Sequence, residues 1–106
     1  MLNSLISLDE LTFENIVEEE KELIIINFSA EWCGPCKMMH SILTSISQEE
    51  EVKIFRVNVD DSPNLTYEFG IENIPVTLFL KSGKKIHQLN GLKSKEELKE
   101  KLYELK

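Results

Sequence analysis

The segment LIIINFSAEWCGPCKMMH, residues 23–40, decides how this chain is read. Leu23-Ile24-Ile25-Ile26-Asn27-Phe28 is a nearly continuous apolar run that follows an acidic stretch, the pattern of a central strand buried on both faces. Trp32-Cys33-Gly34-Pro35 ends it. From Cys36 to Ile46 apolar residues recur at helical spacing, and Pro35 suits a first helical turn, where its missing amide is not needed. The only two cysteines, Cys33 and Cys36, therefore fall at the mouth of a helix, the first as its cap and the second just inside.

Two thiols at this spacing can be a structural staple, half of a metal site or a redox pair. At 106 residues and 42% hydrophobic content the chain can bury a core without covalent help, and a bridge across two intervening residues restrains little of the unfolded chain. Structural zinc usually takes four ligands; beyond the cysteines only His40 and His87 offer comparable donors, and His87 sits on a distant predicted strand. Redox chemistry makes the fewest demands on the rest of the chain. Attack on a disulfide needs a thiolate, whereas a free cysteine with a pKa of about 8.5 is mostly protonated at neutral pH. The free amides and positive dipole end of a helix N-terminus stabilise an anion on Cys33. Cys36, one turn in, is shielded and placed to attack a mixed disulfide formed by its neighbour. Gly34 permits close backbone approach, and Pro35 stiffens the loop.

Working outward, Met1–Leu11 carries no basic leader, and no run approaches the roughly 20 apolar residues needed to cross a membrane, so the expected location is the cytoplasm, where thiols rest reduced. A formal charge of −7 argues against nucleic acid and anionic membranes as partners. Glu18-Glu19-Glu20 and Glu49-Glu50-Glu51 read as solvated helix ends. Further elements are a first helix from about Asp9 to Glu20 and strands at Val52–Val59, Val76–Leu80 and Lys85–Asn90, the last two joined at a Ser82-Gly83 turn. A terminal helix opens with a Ser94…Glu97 capping box and carries Leu98, Leu102 and Leu105 on one stripe. The order β, α, β, α, β, short α, β, β, α over residues 1–106 predicts one domain, with helices on both faces of a sheet and ligands met at the carboxyl ends of its strands.

Ala30-Glu31-Trp32-Cys33-Gly34-Pro35-Cys36-Lys37 resembles the active-site segment of the thioredoxin family. Arg56-Val57-Asn58-Val59-Asp60 is similar to that family's third strand, Gly70-Ile71 through Ile74-Pro75 to its approach to a cis-proline, Lys81-Ser82-Gly83-Lys84 to its hairpin, and Gly91 to its late glycine. The resemblance spans nearly the whole chain. It implies a three-layer α/β/α thioredoxin fold with a five-stranded mixed sheet flanked by four helices. It also implies protein-disulfide reductase activity through a redox-active Cys33–Cys36 disulfide, with no bound cofactor. An NADPH-dependent flavin reductase is the implied electron donor, and the chain is expected to act as a monomer. Carried over by position, Trp32 is an exposed wall beside the nucleophile, while Ile74, Pro75 (in cis) and Gly91 form a groove for a substrate segment.

Some positions depart from the family pattern. Asn27 stands where a buried aspartate is usual, Arg56 where a lysine is usual, Thr77 where an aliphatic is usual, Ser29 where relatives often have an aromatic and Ser41 where many have a proline. An amide accepts no proton near neutral pH, and Arg56 loses its usual carboxylate partner, so it must reach solvent or another acid. His40 shares a helix face with Cys33 and Cys36. Two readings of it are open: the proton acceptor that Asn27 cannot be, and a histidine packed between helix and sheet. Gly-Pro between the cysteines resembles reductases more than oxidases. The alternatives are a partner-specific redox protein and a binding module that uses the same groove with incidental thiols.

Overall fold

The computed structural model describes residues 5–106, so the first four positions of Met1–Leu11 lie outside the described residues. Nine elements follow in order: β1 (Ile6–Leu8), α1 (Phe13–Glu19), β2 (Leu23–Ser29), α2 (Gly34–Glu49), β3 (Lys53–Asn58), α3 (Pro63–Glu68), β4 (Val76–Lys81), β5 (Lys84–Asn90) and α4 (Lys95–Leu105). The expected thioredoxin fold is the one found. One sheet runs β1-β3-β2-β4-β5, with β1, β3 and β2 parallel and β4 and β5 antiparallel to their neighbours.

β2 is central because almost every residue in it is apolar and can be covered on either side; all but Ser29 are buried. Alternation sends Ile24, Ile26 and Phe28 to one face, where Phe55, Val57 and Leu78 join Val17 of α1 and Leu65 of α3. Leu23 and Ile25 go to the other, against Met39, Leu43 and Ile46 of α2 and Leu98 and Leu102 of α4. Each fully buried aliphatic or aromatic side chain contributes about 1.5–3 kcal/mol. These two cores hold the carboxyl end of β2 against the start of α2, which is where both cysteines lie.

Local chemistry adjusts several boundaries. The first helix starts at Phe13 rather than Asp9, because the Asp9 carboxylate accepts from the Leu11 and Thr12 amides at 2.9 and 3.0 Å and folds that stretch into a turn. These bonds, first that of the Thr12 amide, hold the Asp9 carboxyl below its ordinary pKa. Glu10 reaches forward to α3 and accepts from the Leu65 amide at 3.0 Å and from the Asn64 amide. At the hairpin Ser82 (φ 51°) and Gly83 (φ 80°) both take the left-handed conformation of a tight turn that matches the twist of its strands. Ser94 caps α4 as expected, accepting from the Glu97 amide at 3.1 Å.

The Glu49-Glu50-Glu51 cluster is not simply a solvated helix end. Glu49 pairs with Lys95 and, at 3.0 Å, with Lys99. Glu50 lies 3.3 Å from Lys99 and accepts from the Tyr103 hydroxyl. These contacts clamp the end of α2 to α4. The Lys95 and then the Lys99 ammonium hold the Glu49 carboxyl at about 2, below the unfolded carboxylate range, so its contribution to stability is present above pH ~4.5 and is lost as pH falls toward 2. In urea titrations the gap in midpoint between the native chain and Glu49→Gln should therefore be open at pH 7 and close below about pH 4.5. A gap that stays constant across that range would rule the clamp out.

Candidate active site

β2 delivers the chain to the site and α2 leads it away. Cys33 is the N-cap of α2 in an extended conformation (φ −93°, ψ 112°), and Pro35 occupies the first turn. At this cap a sulfur does what an oxygen usually does: the Cys36 amide donates to Cys33 Sγ at 3.2 Å. The two cysteines are joined as a disulfide with Cα atoms 5.2 Å apart, an ordinary separation for such a bond. Both are mostly enclosed, Cys33 at 6% and Cys36 at 3% of full exposure, in a small apolar cluster with Ala30 against which Val59 and Ile74 pack. Their neighbours Trp32, Gly34 and Pro35 are exposed, so Cys33 lies in a shallow seat near the surface.

Trp32 is 70% exposed and is held by its indole N–H, which donates to Asp60 Oδ2 at 2.8 Å. Asp60 is in turn fixed by its own amide, which donates to Asn58 Oδ1 at 2.8 Å at the end of β3. On the other side the Ile74–Pro75 peptide is cis, and the Ile74 carbonyl oxygen lies 3.9 Å from Cys33 Sγ. Gly91, at φ 85°, donates from its amide to the Pro75 carbonyl at 2.8 Å. Of the sequence-predicted wall and groove residues, Ile74 contacts the dithiol, Pro75 and Gly91 are hydrogen-bonded to each other, and the Trp32 side chain is held by Asp60.

Beneath the first turn of α2 a polar row crosses three strands. Arg56, Asn27 and Thr77 are aligned in register on the face that Ile25 shares. Asn27 is 1% exposed and donates from Nδ2 to the Val76 carbonyl at 3.2 Å and to Thr77 Oγ1 at 3.3 Å. Thr77 departs from the family pattern to supply this partner. Arg56 is half-buried and makes no ion pair among the described residues. It opens with Cys36, His40, Ser29 and Asn58 onto a depression of about 450 Å³, which answers where its charge goes in the absence of a carboxylate. Burial, and then the Arg56 charge, pull the His40 imidazole below its ordinary pKa. His87 is elsewhere, in a tilted ring contact with Phe79 on β4. Among the described residues no group of three or more His, Cys, Asp or Glu could hold a metal ion.

The thioredoxin family model matches residues 4–104. This chain belongs to the thioredoxin family. Thioredoxins of Rickettsia typhi and Alicyclobacillus acidocaldarius are 37% and 34% identical to it, over 84% and 91% of this chain and 87% and 92% of theirs. Among solved structures, a Nicotiana alata thioredoxin superposes with a TM-score of 0.90 at 30% identity over 100% of this chain and 96% of that one. A mutant thioredoxin from Halobacterium salinarum gives 0.89 at 17% identity over 96% and 90%, a likeness of fold alone. The Cys33–Cys36 pair is accordingly the redox centre of a dithiol thiol-disulfide oxidoreductase, and protein disulfides are its substrates.

Two features of this thioredoxin-family site escape a reading of the sequence alone. Asp60 was visible only as the end of a strand motif, although an acid just past a strand that neighbours the Trp32 loop was a usable signal. The depression beside Cys36 had none beyond the small side chain of Ser29. Asp60→Ala should leave the fold intact, speed the depolarisation of Trp32 fluorescence and lower kcat/KM for a protein disulfide about fivefold, the value of one hydrogen bond near 1 kcal/mol. A Trp32 indole as immobile in the variant as in the native chain would count against that restraint.

Proposed function

We propose that this chain reduces protein disulfides, with Cys33 as the nucleophile and Cys36 as the resolving thiol. The observation that carries the assignment is the Cys36 amide aimed at Cys33 Sγ from 3.2 Å. In the reduced form the same donor, together with the positive end of a 16-residue helix, favours a thiolate on Cys33 over one on Cys36.

The Cys33 thiolate attacks one sulfur of the substrate disulfide. The Cys33–substrate bond forms as the substrate S–S bond breaks, and the departing thiolate takes a proton. Cys36 then attacks the Cys33 sulfur, the intramolecular disulfide forms, and the second substrate thiol leaves, so that two electrons pass to the substrate. Trp32, Ile74, Pro75 and Gly91 border the groove in which the substrate backbone lies, and Asn27, Arg56 and His40 support the pair from below. Reduction rather than oxidation is favoured by Gly34-Pro35 between the cysteines, which leaves no histidine there to hold the partner's thiolate. An NADPH-dependent flavin reductase restores the dithiol. The chain works as a single-domain monomer in the cytoplasm; no helix among the described residues is long and apolar enough to cross a membrane.

The roles are separable by substitution. Cys33→Ser should abolish reduction of insulin by dithiothreitol-recharged protein. Cys36→Ser should accumulate a covalent mixed disulfide that intact-protein mass spectrometry detects. The reverse result, with the adduct trapped on position 36 in Cys33→Ser, would exchange the two assignments, and undiminished activity of the double variant in the cell would point to a binding role.

A further inference from the structure

We propose that the depression beside Cys36 is the route by which this thiol loses its proton, and that His40 is the acceptor. The inference rests on the dithiol exchange of the preceding section and assigns the proton that exchange must move.

Cys36, at 3% exposure, is the more enclosed of the two cysteines. To attack the mixed disulfide it must first become a thiolate, and so must give up its proton from this enclosed position. The groups around it limit where the proton can go. Asn27 is an amide whose Nδ2 donates to Val76 O and Thr77 Oγ1, so it is fixed in the sheet as a donor. The depression that Cys36 lines is bordered by ionisable groups from each packed element: Glu31 from the β2–α2 loop, Lys37 and His40 from α2, and Arg56 from β3. Ser29, Ala30 and Asn58 complete it without charge. Lys37 and Arg56 are cations and accept nothing at neutral pH. Glu31 is exposed on the loop before the dithiol.

His40 remains, and its placement suits the task. It follows Cys36 by four residues on α2, so the two side chains share a face and their Cβ atoms lie roughly 6 Å apart, a span that a thiol and an imidazole close directly or through one water. Half-burial and the facing Arg56 keep the imidazole neutral at physiological pH, the form that accepts a proton. The same Arg56 charge favours the thiolate that is left behind. The small side chain of Ser29 at the end of β2 leaves the depression open, so the acceptor can exchange its proton with solvent.

The Cys36 S–H bond breaks and its proton passes to the His40 imidazole. The Cys36 thiolate forms the bond to Cys33 Sγ as the Cys33–substrate S–S bond breaks. The departing substrate thiolate takes a proton from solvent, and the His40 imidazolium returns its proton to solvent through the open depression, so no net proton is gained or lost in the step.

An aromatic disulfide, dithiobis(nitrobenzoate), separates the two steps. Cys33 releases one coloured thiolate on forming the mixed disulfide, and Cys36 releases the second on resolving it. In the native chain the second release should fall at acid pH, with a midpoint below the ordinary histidine value of about 6.5. In His40→Ala the first release should keep its rate, while the second slows about 100-fold at pH 7 and climbs with pH toward the thiol range near or above about 8.5. His40→Gln, which keeps side-chain bulk, should match the alanine variant, and added imidazole should restore much of the lost rate of His40→Ala through the open depression. Arg56→Met should move the acid midpoint upward, and Glu31→Gln should leave both releases unchanged. A second release in both His40 variants with the native rate and acid midpoint overturns the assignment. So does an equal slowing of both releases at every pH, the mark of a packing role. A native chain that forms no mixed disulfide at all overturns the dithiol reading itself and takes this one with it.

Discussion

One donor, the Cys36 amide, and one acceptor, the Cys33 sulfur, 3.2 Å apart, set the terms for the rest of the molecule. The contact exists only if the chain leaves a strand in an extended conformation and turns at once into a helix, and most features of the fold serve that junction. β2 is buried on both faces, so the position of its carboxyl end is fixed by packing rather than by loop chemistry. Pro35 removes an amide that the helix does not use and fixes the backbone where the first turn begins. Met39, Leu43 and Ile46, all fully buried, keep α2 from rolling about its axis and so keep Cys36 under Cys33. The clamp of Glu49 and Glu50 on α4 secures the far end of the same helix.

The row Arg56–Asn27–Thr77 shows how a polar group is tolerated directly below that junction. A buried carboxylate would be ionised only against a desolvation cost of several kcal/mol, or would carry a proton and a raised pKa. Asn27 avoids both, because an amide needs hydrogen bonds but no counter-charge, and Val76 and Thr77 accept from it. Thr77 at a position that otherwise favours an aliphatic is explained by the same bond. Arg56, relieved of an acid to neutralise, faces the depression instead. Three of the five departures from the family pattern, Asn27, Thr77 and Arg56, are therefore one rearrangement: an amide, its acceptor and a cation with no ion pair among the described residues stand where the family pattern has an acid and its partner.

What the sequence made legible follows from the range of the interactions involved. The central strand, the capped helix, the Ser94 cap and the hairpin turn each depend on residues within a few positions of one another, and all are found. The placement of Trp32 at the surface was legible because a bulky side chain in a strand-end loop has little core to enter. The start of α1 was misplaced by a local competitor, the Asp9 carboxylate, which captures two amides that a helix would leave free. The Glu49–Lys99 and Trp32–Asp60 contacts join residues 50 and 28 positions apart, and nothing in either local segment specifies the partner. The depression beside Cys36 is harder still, since it is made by a side chain that is small, and no pattern of hydrophobicity records volume left unfilled.

The two sulfurs, though bonded to each other, look out on different surroundings, and this asymmetry gives the site its direction. Cys33 neighbours the exposed side: Trp32, the Ile74 carbonyl and, through the Pro75–Gly91 hydrogen bond, the end of β5. These are backbone carbonyls and flat apolar surface, suited to an extended protein segment that arrives with its disulfide and must be held without charge complementarity. Cys36 borders another side, where Glu31, Lys37, His40 and Arg56 line a depression. A single helical turn separates the two, so the backbone that brings a substrate to one sulfur leaves the other free for proton traffic. The spacing of three residues is what permits this, since it brings the two sulfurs within bonding reach and lets the Cys36 amide cap the Cys33 sulfur.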